Sequence, residues 1–253
     1  MLNNLKVALI HEFLITWGGS DLVVQKFSEI FPDAPIFTAL YDTKTMQKHF
    51  TDRRIVTSFL QRIPFAVRSH RLMMPFFPIA FESFDLNEYD LVLSSHHMAA
   101  KGVITLPSTC HICFCHTPMR YAWDFYHKFL TENPPALRFP LRLLFHYLRA
   151  WDTATASRVD YFIANSKNIA NRIWKYYRRE SDIIHSPVET ARFRISETKD
   201  DFYLVVSRLV SYKRIDLAVE AFNRLGRRLV VVGSGPELKK LKKMARKNVE
   251  FTG

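Results

Sequence analysis

Short β-branched and aliphatic runs alternate with helically spaced segments almost from one end of the chain to the other, and that order restricts the fold more than any other feature. The runs are KVALIH, APIFTAL, RRIVTSF, YDLVLSS, HICFCH, DYFIANS and SDIIHS. Strands buried on both faces read as near-continuous apolar runs, and strands interleaved with helices assemble into parallel sheets. The expectation is an α/β protein with a doubly wound, mostly parallel sheet. Its first unit is KVALIH, the loop TWGGSD and the helical stretch DLVVQKFSEIF, with Ser20 or Asp21 as the candidate cap.

The pattern is interrupted once. After Ser186-Pro187 the stretch VETARFRISETKDD is polar and aperiodic, and a new strand begins at FYLVVS. Residues 1–186 therefore read as a Rossmann-like N-terminal domain and 187–201 as a linker. Residues 202–253 read as strand, helix, strand, helix and strand fragment, about half of a nucleotide-binding domain. No repeat or low-complexity tract accompanies them, so neither a solenoid nor a disordered chain fits.

The N-terminus, MLNNLKVALIHEFL, has one lysine before an apolar run that carries His11 and Glu12, which is neither a signal peptide nor a spanning helix. The greasy segment LMMPFFPIAF is short and interrupted by two prolines. The expected location is the cytoplasm, with the inner face of the cytoplasmic membrane as a place of work. A formal charge of +12 calls for an anionic partner: nucleic acid, an acidic membrane surface or a phosphorylated small molecule.

All three cysteines fall within CHICFCH, residues 110–116. An odd, clustered set is no disulfide framework and agrees with a reducing compartment. Cys110-x-x-Cys113 has the spacing of half a zinc site, but no second pair exists elsewhere. In a strand, Cys110, Ile112 and Phe114 face one way while His111, Cys113 and Cys115 face the other, which splits the pair. Core packing of a central strand is the favoured reading, with no metal. His116 stands where that strand ends and Thr117-Pro118 turns the chain. It is either a hydrogen-bonded strand cap or a ligand-facing group at the carboxyl edge of the sheet.

Taken together, KVALIHEFL with WGG, FPDAPIFTALYD, TSFLQRIP, CHTPMRYAWDFYHKFL, FIANSKNIANRIWKYY, VVSRLVSYKRIDLAVEAFNRL and VVGSGPE resemble glycosyltransferase family 4 over essentially the whole chain. They are most similar to its mannosyltransferase-like branch in lipopolysaccharide O-antigen and polysaccharide assembly. The resemblance implies a GT-B fold, in which two Rossmann-like domains face each other, the first binding the acceptor and the second most of a nucleotide-sugar donor, without a metal. It implies retention of anomeric configuration, a hexose as the transferred group and GDP-mannose as the donor. The acceptor would be a saccharide or a lipid-linked saccharide.

By resemblance, Arg208 and Lys213 stabilise the departing nucleoside diphosphate, and cations near a helix N-terminus suit that task. Gly18 and Gly19 lack a Cβ and let the first loop approach the donor phosphates; an ordinary tight turn is the alternative. His116 contacts the transferred sugar, without serving as a general base. Arg120, Tyr121 and Asp124 follow on a helix start and shape the acceptor pocket, or belong to the core. The family's pair of glutamates separated by seven residues, about sixty positions beyond Arg208, has no counterpart here, so weak or absent turnover is expected of these 253 residues alone.

Two other functions compete. QRIPFAVRSHRLMMPFF and LRFPLRLLFHYLRAW interleave Arg62, Arg68, Arg71, Arg138, Arg142 and Arg149 with bulky apolar residues, as an interfacial helix would. This suggests a peripheral membrane protein that binds a lipid-linked acceptor without catalysis; solvated arginines on core-facing helices are the alternative. KKLKKMARK raises nucleic-acid binding, but Leu238, Leu241 and Ala245 form a buried stripe beneath the lysines, and no nucleic-acid-binding motif accompanies them. No nucleic-acid partner is expected.

Overall fold

The computed structural model describes residues 5–253, which divide into two units, Met1–Val188 and Glu189–Gly253. The division falls inside the stretch read as a linker.

The first unit is built on a seven-stranded parallel sheet in the order β3-β2-β1-β4-β5-β6-β7. Its strands are β1 (Val7–His11), β2 (Ile36–Thr38), β3 (Ile55–Thr57), β4 (Leu91–His96), β5 (Cys110–Cys115), β6 (Tyr161–Ala164) and β7 (Asp182–Ile183). Each coincides with one of the seven apolar runs to within a residue. From β1 the chain winds outward to β2 and β3, then returns to lay β4 against the other flank of β1. The winding direction thus reverses between β1 and β4, and ligands of open parallel sheets bind at the carboxyl ends on either side of such a reversal.

Both faces of the sheet are covered, as a parallel sheet requires. Along β1, Ala8 and Ile10 enter one core together with Phe37, Val92, Phe77, Phe81, Phe145 and Leu148. Val7 and Leu9 enter the other with Ile36, Leu93, Val24 and Met46. The helices are α1 (Gly19–Ile30), α2 (Thr43–Met46), α3 (Phe77–Glu82), α4 (Tyr126–Glu132), α5 (Pro135–Ala154) and α6 (Lys167–Tyr177). Cys113 and Cys115 pack with Phe162, Ala164, Ile169 and Ile173 beneath α6, so their thiols serve as small buried hydrophobes.

The interfacial helix expected over residues 61–77 does not form. Pro64 and Pro75 cannot donate within a helix, and the segment is instead 3-10 turns over Phe59–Arg62 and His70–Phe76 leading into α3. The second basic stretch is helical, as α5. Its Phe145, Leu148 and Asp152 are buried, whereas Leu137, Phe139, Leu143 and Tyr147 remain exposed. Among the described residues no helix is long and apolar enough to cross a membrane.

The second unit is a three-stranded parallel sheet in the order β10-β9-β8, formed by β8 (Tyr203–Val206), β9 (Leu229–Val232) and β10 (Val249–Phe251). Helices α7 (Ile215–Leu225) and α8 (Leu238–Met244) connect them. Ile215, Val219 and Leu241 pack on Leu229, Val231 and Val249, leaving the α8 lysines on the outer face.

Candidate functional site

The carboxyl ends of β1, β4 and β5 bring together groups that lie far apart in the sequence. His11 and Ser95 are direct partners in the β1–β4 ladder, so their side chains meet at the reversal point. Ser95 Oγ lies 3.1 Å from His11 Nδ1 and 2.9 Å from His116 Nε2. His116 follows the last residue of β5, and its backbone N–H extends the ladder by donating to the His96 carbonyl at 2.9 Å. On the far side of His11, Nε2 is 3.4 Å from the buried carboxylate of Asp21 on α1. The His97 ring stands edge-on to His11 with centroids 6.4 Å apart.

Beneath this row lies a buried anion. Glu12 accepts the backbone N–H groups of His97, Met98, Ala99 and Ala100 at 2.6 to 3.0 Å, and His96 Nδ1 is 3.4 Å from its Oε1. Burial alone would push its carboxyl upward. The hydrogen bond to His96, the fields of His97 and His96 and the Ala100 N–H outweigh that and hold Glu12 well below the usual carboxylate range. The clamp fixes the loop that carries His97.

The His116 and His97 imidazoles are neutral at ordinary pH. Burial first, then His97, His11 and His96, push His116 down to about 3, against the pull of Glu12. Burial likewise takes His97 down to about 4, although Glu12 opposes it. A neutral imidazole offers one donor and one acceptor, which matches a hydroxyl-bearing substrate better than a charged one. Two buried atoms here, Asp21 Oδ1 and His97 Nδ1, make no hydrogen bond among the described residues.

Gly18 caps α1 in an extended conformation without any side-chain hydrogen bond to the helix N-terminus. A Cβ on Gly19 would meet nothing within 4 Å, and one on Gly18 would only touch Asp21 Oδ2 at 3.5 Å. Packing requires neither glycine, and they leave open backbone at the first turn of α1.

Residues 120–125 are turns rather than a helix start, and α4 begins only at Tyr126. The turn is held by N–H groups of Ala122 and Trp123 donating to the Met119 carbonyl, and of Phe125 to that of Arg120. Side chains tie it down elsewhere: Trp123 stacks on Tyr176 at 4.4 Å and donates to Asp152. Asp124 is engaged by α6, through Arg172 at 3.0 Å and the Tyr176 hydroxyl at 2.9 Å. Tyr121 is exposed against Phe129, and Arg120 lies over the Phe125 ring.

In the second unit Arg208 and Lys213 flank the loop between β8 and α7. Both are exposed, and neither has a carboxylate partner among the described residues. The loop's backbone is shaped by the next one. Ser207 and Leu209 donate to the carbonyls of Val232 and Ser234 at 3.0 and 2.8 Å. At Gly233, whose φ is 143°, a Cβ would sit 1.9 Å from the Ser207 carbonyl oxygen; at Gly235, with φ 157°, it would sit 2.3 Å from that of Leu209. Only glycine permits this approach.

Sequence reasoning singled out His116 in this cluster but not His11, Ser95, His97 or Asp21 beside it. The signal that selected His116, a histidine at the end of a strand before a turn, also marks His11 and the His96-His97 pair.

Comparisons with known proteins bear on the fold and the family. The lipopolysaccharide outer core galactosyltransferase WaaB, in its apo form, matches with a TM-score of 0.56 at 16% identity, over 98% of this chain and 68% of that one. Anabaena HepE in complex with UDP matches with a TM-score of 0.63 at 14% identity, over 98% and 69%. No curated protein sequence matches. Residues 188–253 match the family described as Glycosyl transferases group 1. Residues 35–192 match Glycosyltransferase Family 4, and the chain belongs to that family, with a mostly parallel α/β fold of the GT-B type.

Proposed function

We propose that this glycosyltransferase retains anomeric configuration and moves a hexose from a nucleotide-sugar to a saccharide or lipid-linked acceptor in surface-polysaccharide assembly. Mannose from GDP-mannose is the first candidate. The observation that carries the reading is the exposed Arg208 and Lys213, neither with a carboxylate partner among the described residues, on the loop between β8 and α7. Two cations on one loop suit a diphosphate, whose charge grows as the sugar departs. In this reading no metal or cofactor is called for. The neutral His116 faces the transferred sugar, whose hydroxyls it can bond without perturbing the charge on the diphosphate. Arg120 and Tyr121 border the acceptor, while Asp124 holds their turn against α6.

HepE was solved with UDP, which makes a UDP-hexose the rival donor. Calorimetric titration of GDP-mannose, UDP-glucose and UDP-galactose into the protein separates them. Arg208→Ala and Lys213→Ala should each weaken the preferred donor roughly tenfold, the loss of one charge-assisted hydrogen bond. Unchanged affinity in both variants would sink the reading.

A second reading is supported by α5, which exposes Leu137, Phe139, Leu143 and Tyr147 alongside Arg142. An apolar face edged with arginine suits the surface of an anionic bilayer, where a lipid-linked acceptor would be bound without catalysis. Cosedimentation with vesicles that contain anionic lipid, but not with neutral ones, is expected; no dependence on anionic lipid removes it.

A further inference from the structure

Ser95 sits between two imidazoles with one proton to give. Its Oγ is 3.1 Å from His11 Nδ1 and 2.9 Å from His116 Nε2, so one ring nitrogen accepts the hydroxyl proton and the other donates its own to the oxygen. Two arrangements satisfy the pair, and they place opposite tautomers on His116. The carboxylate of Asp21 chooses between them. It lies 3.4 Å from His11 Nε2, and both residues are buried. A nitrogen lone pair facing a buried carboxylate is repelled, whereas an N–H is attracted, so a neutral His11 ring carries its proton on Nε2 and presents a bare Nδ1 to Ser95. The Ser95 proton then points to His11, and its oxygen accepts from His116 Nε2–H.

We propose that Asp21, His11 and Ser95 form a positioning chain that fixes His116 as the Nε2–H tautomer, leaving its Nδ1 as an acceptor for a substrate hydroxyl. The first part stands on the free protein alone; the second rests on the reading above that His116 contacts the transferred sugar. The geometry is built into the sheet rather than into mobile side chains. His11 and Ser95 are ladder partners, and His116 continues β5 beside the end of β4. Burial supports the assignment by keeping the His116 ring neutral. An acceptor fixed in this way selects for a hydroxyl at one position of the sugar, because a donor lacking it leaves the nitrogen desolvated and unpaired.

The test is the tautomer, read by long-range proton–nitrogen correlation on the 253-residue protein labelled with 15N-histidine at neutral pH. The His116 signals are those lost in His116→Asn. A pyrrole-like Nε2 and a pyridine-like Nδ1 are expected. In Ser95→Ala and in His11→Phe both shifts should move towards a mixture of tautomers, a change that loss of packing alone does not predict. If Ser95→Ala does not fold, His11→Phe carries the comparison. A pyrrole-like Nδ1 in the intact protein, or unchanged shifts in the folded variants, would overturn the chain. Saturation with GDP-mannose or UDP-glucose then tests the second part: Nδ1 should shift on binding. If the sugar nucleotide binds and Nδ1 stays put, the sugar contact is overturned while the tautomer result stands.

Discussion

Lys101 Nζ lies 3.0 Å from Asp152 Oδ1, and both side chains are wholly buried. The ammonium also donates to the Thr155 hydroxyl at 2.7 Å, and the carboxylate accepts from Tyr177 at 2.9 Å and Trp123 at 2.8 Å. Asp152 comes from α5 and Tyr177 from α6, so the pair ties both helices to the loop after β4. His96 stands between this network and the Glu12 clamp, with Nε2 3.4 Å from the Tyr177 hydroxyl.

Removing one partner leaves an uncompensated buried charge. Lys101→Met should therefore cost about 3–5 kcal/mol, and a double replacement of Lys101 and Asp152 by apolar residues less than the sum of the single ones. Urea unfolding followed by tryptophan fluorescence reads this in the first unit alone, since Trp17, Trp123, Trp151 and Trp174 all lie in it. A loss below about 1 kcal/mol in Lys101→Met would show that the network does not hold the helices.

Such networks mark the limit of what the sequence discloses. The seven apolar runs are local signals, and each became a strand where it was expected. The ladder that joins His11 to Ser95 spans 84 positions, and nothing local encodes it. That Arg208 and Lys213 share the loop between β8 and α7 was legible because one short stretch of sequence carries both. The turn at 120–125 was not, because its shape depends on Trp123 and Asp124 reaching α6 and Asp152.

The cysteines should be inert in the folded protein. Burial pushes the Cys113 thiol up to about 12 and raises Cys115 as well. Cys110 is only half-buried, with its thiol raised by burial and then by Asp160. Because the thiolate is the reactive form, an aromatic disulfide reagent at neutral pH should modify at most Cys110, and all three cysteines in urea. Fast reaction of two thiols in the folded state would contradict the placement of β5.

Acid should weaken the first unit before its carboxylates titrate. His111 and His97 are pushed down to about 4 and His116 to about 3, burial being the largest cause in each, from an ordinary value of 6.5. Between those values the unfolded chain binds protons that the folded chain refuses. Stability is therefore full above pH 6.5 and falls as pH drops towards 4, by about 1.4 kcal/mol per pH unit for each such proton. Glu12, lowered from 4.5, acts in the same direction further down. Urea midpoints at several pH values should give a slope of one to three protons, reduced by about one in His111→Phe. A flat profile would mean that these rings are protonated in the folded state.

The glycines separate structural need from functional need. Gly233→Ala forces a Cβ against the Ser207 carbonyl at a φ of 143°, so it should destabilise the second unit by more than about 1 kcal/mol and displace the backbone at Arg208. Gly19→Ala meets open space at the first position of α1, where alanine costs nothing in propensity and stability should change by less than about 1 kcal/mol. If the α1 backbone approaches donor phosphates, Gly19→Ala should nevertheless weaken nucleotide-sugar binding roughly tenfold, because the added methyl keeps the ligand from the N–H groups. Circular dichroism and calorimetry on the two variants read the two effects apart. Loss of binding without loss of stability in Gly19→Ala marks the glycine as a ligand-facing residue, and unchanged binding assigns it to the turn alone.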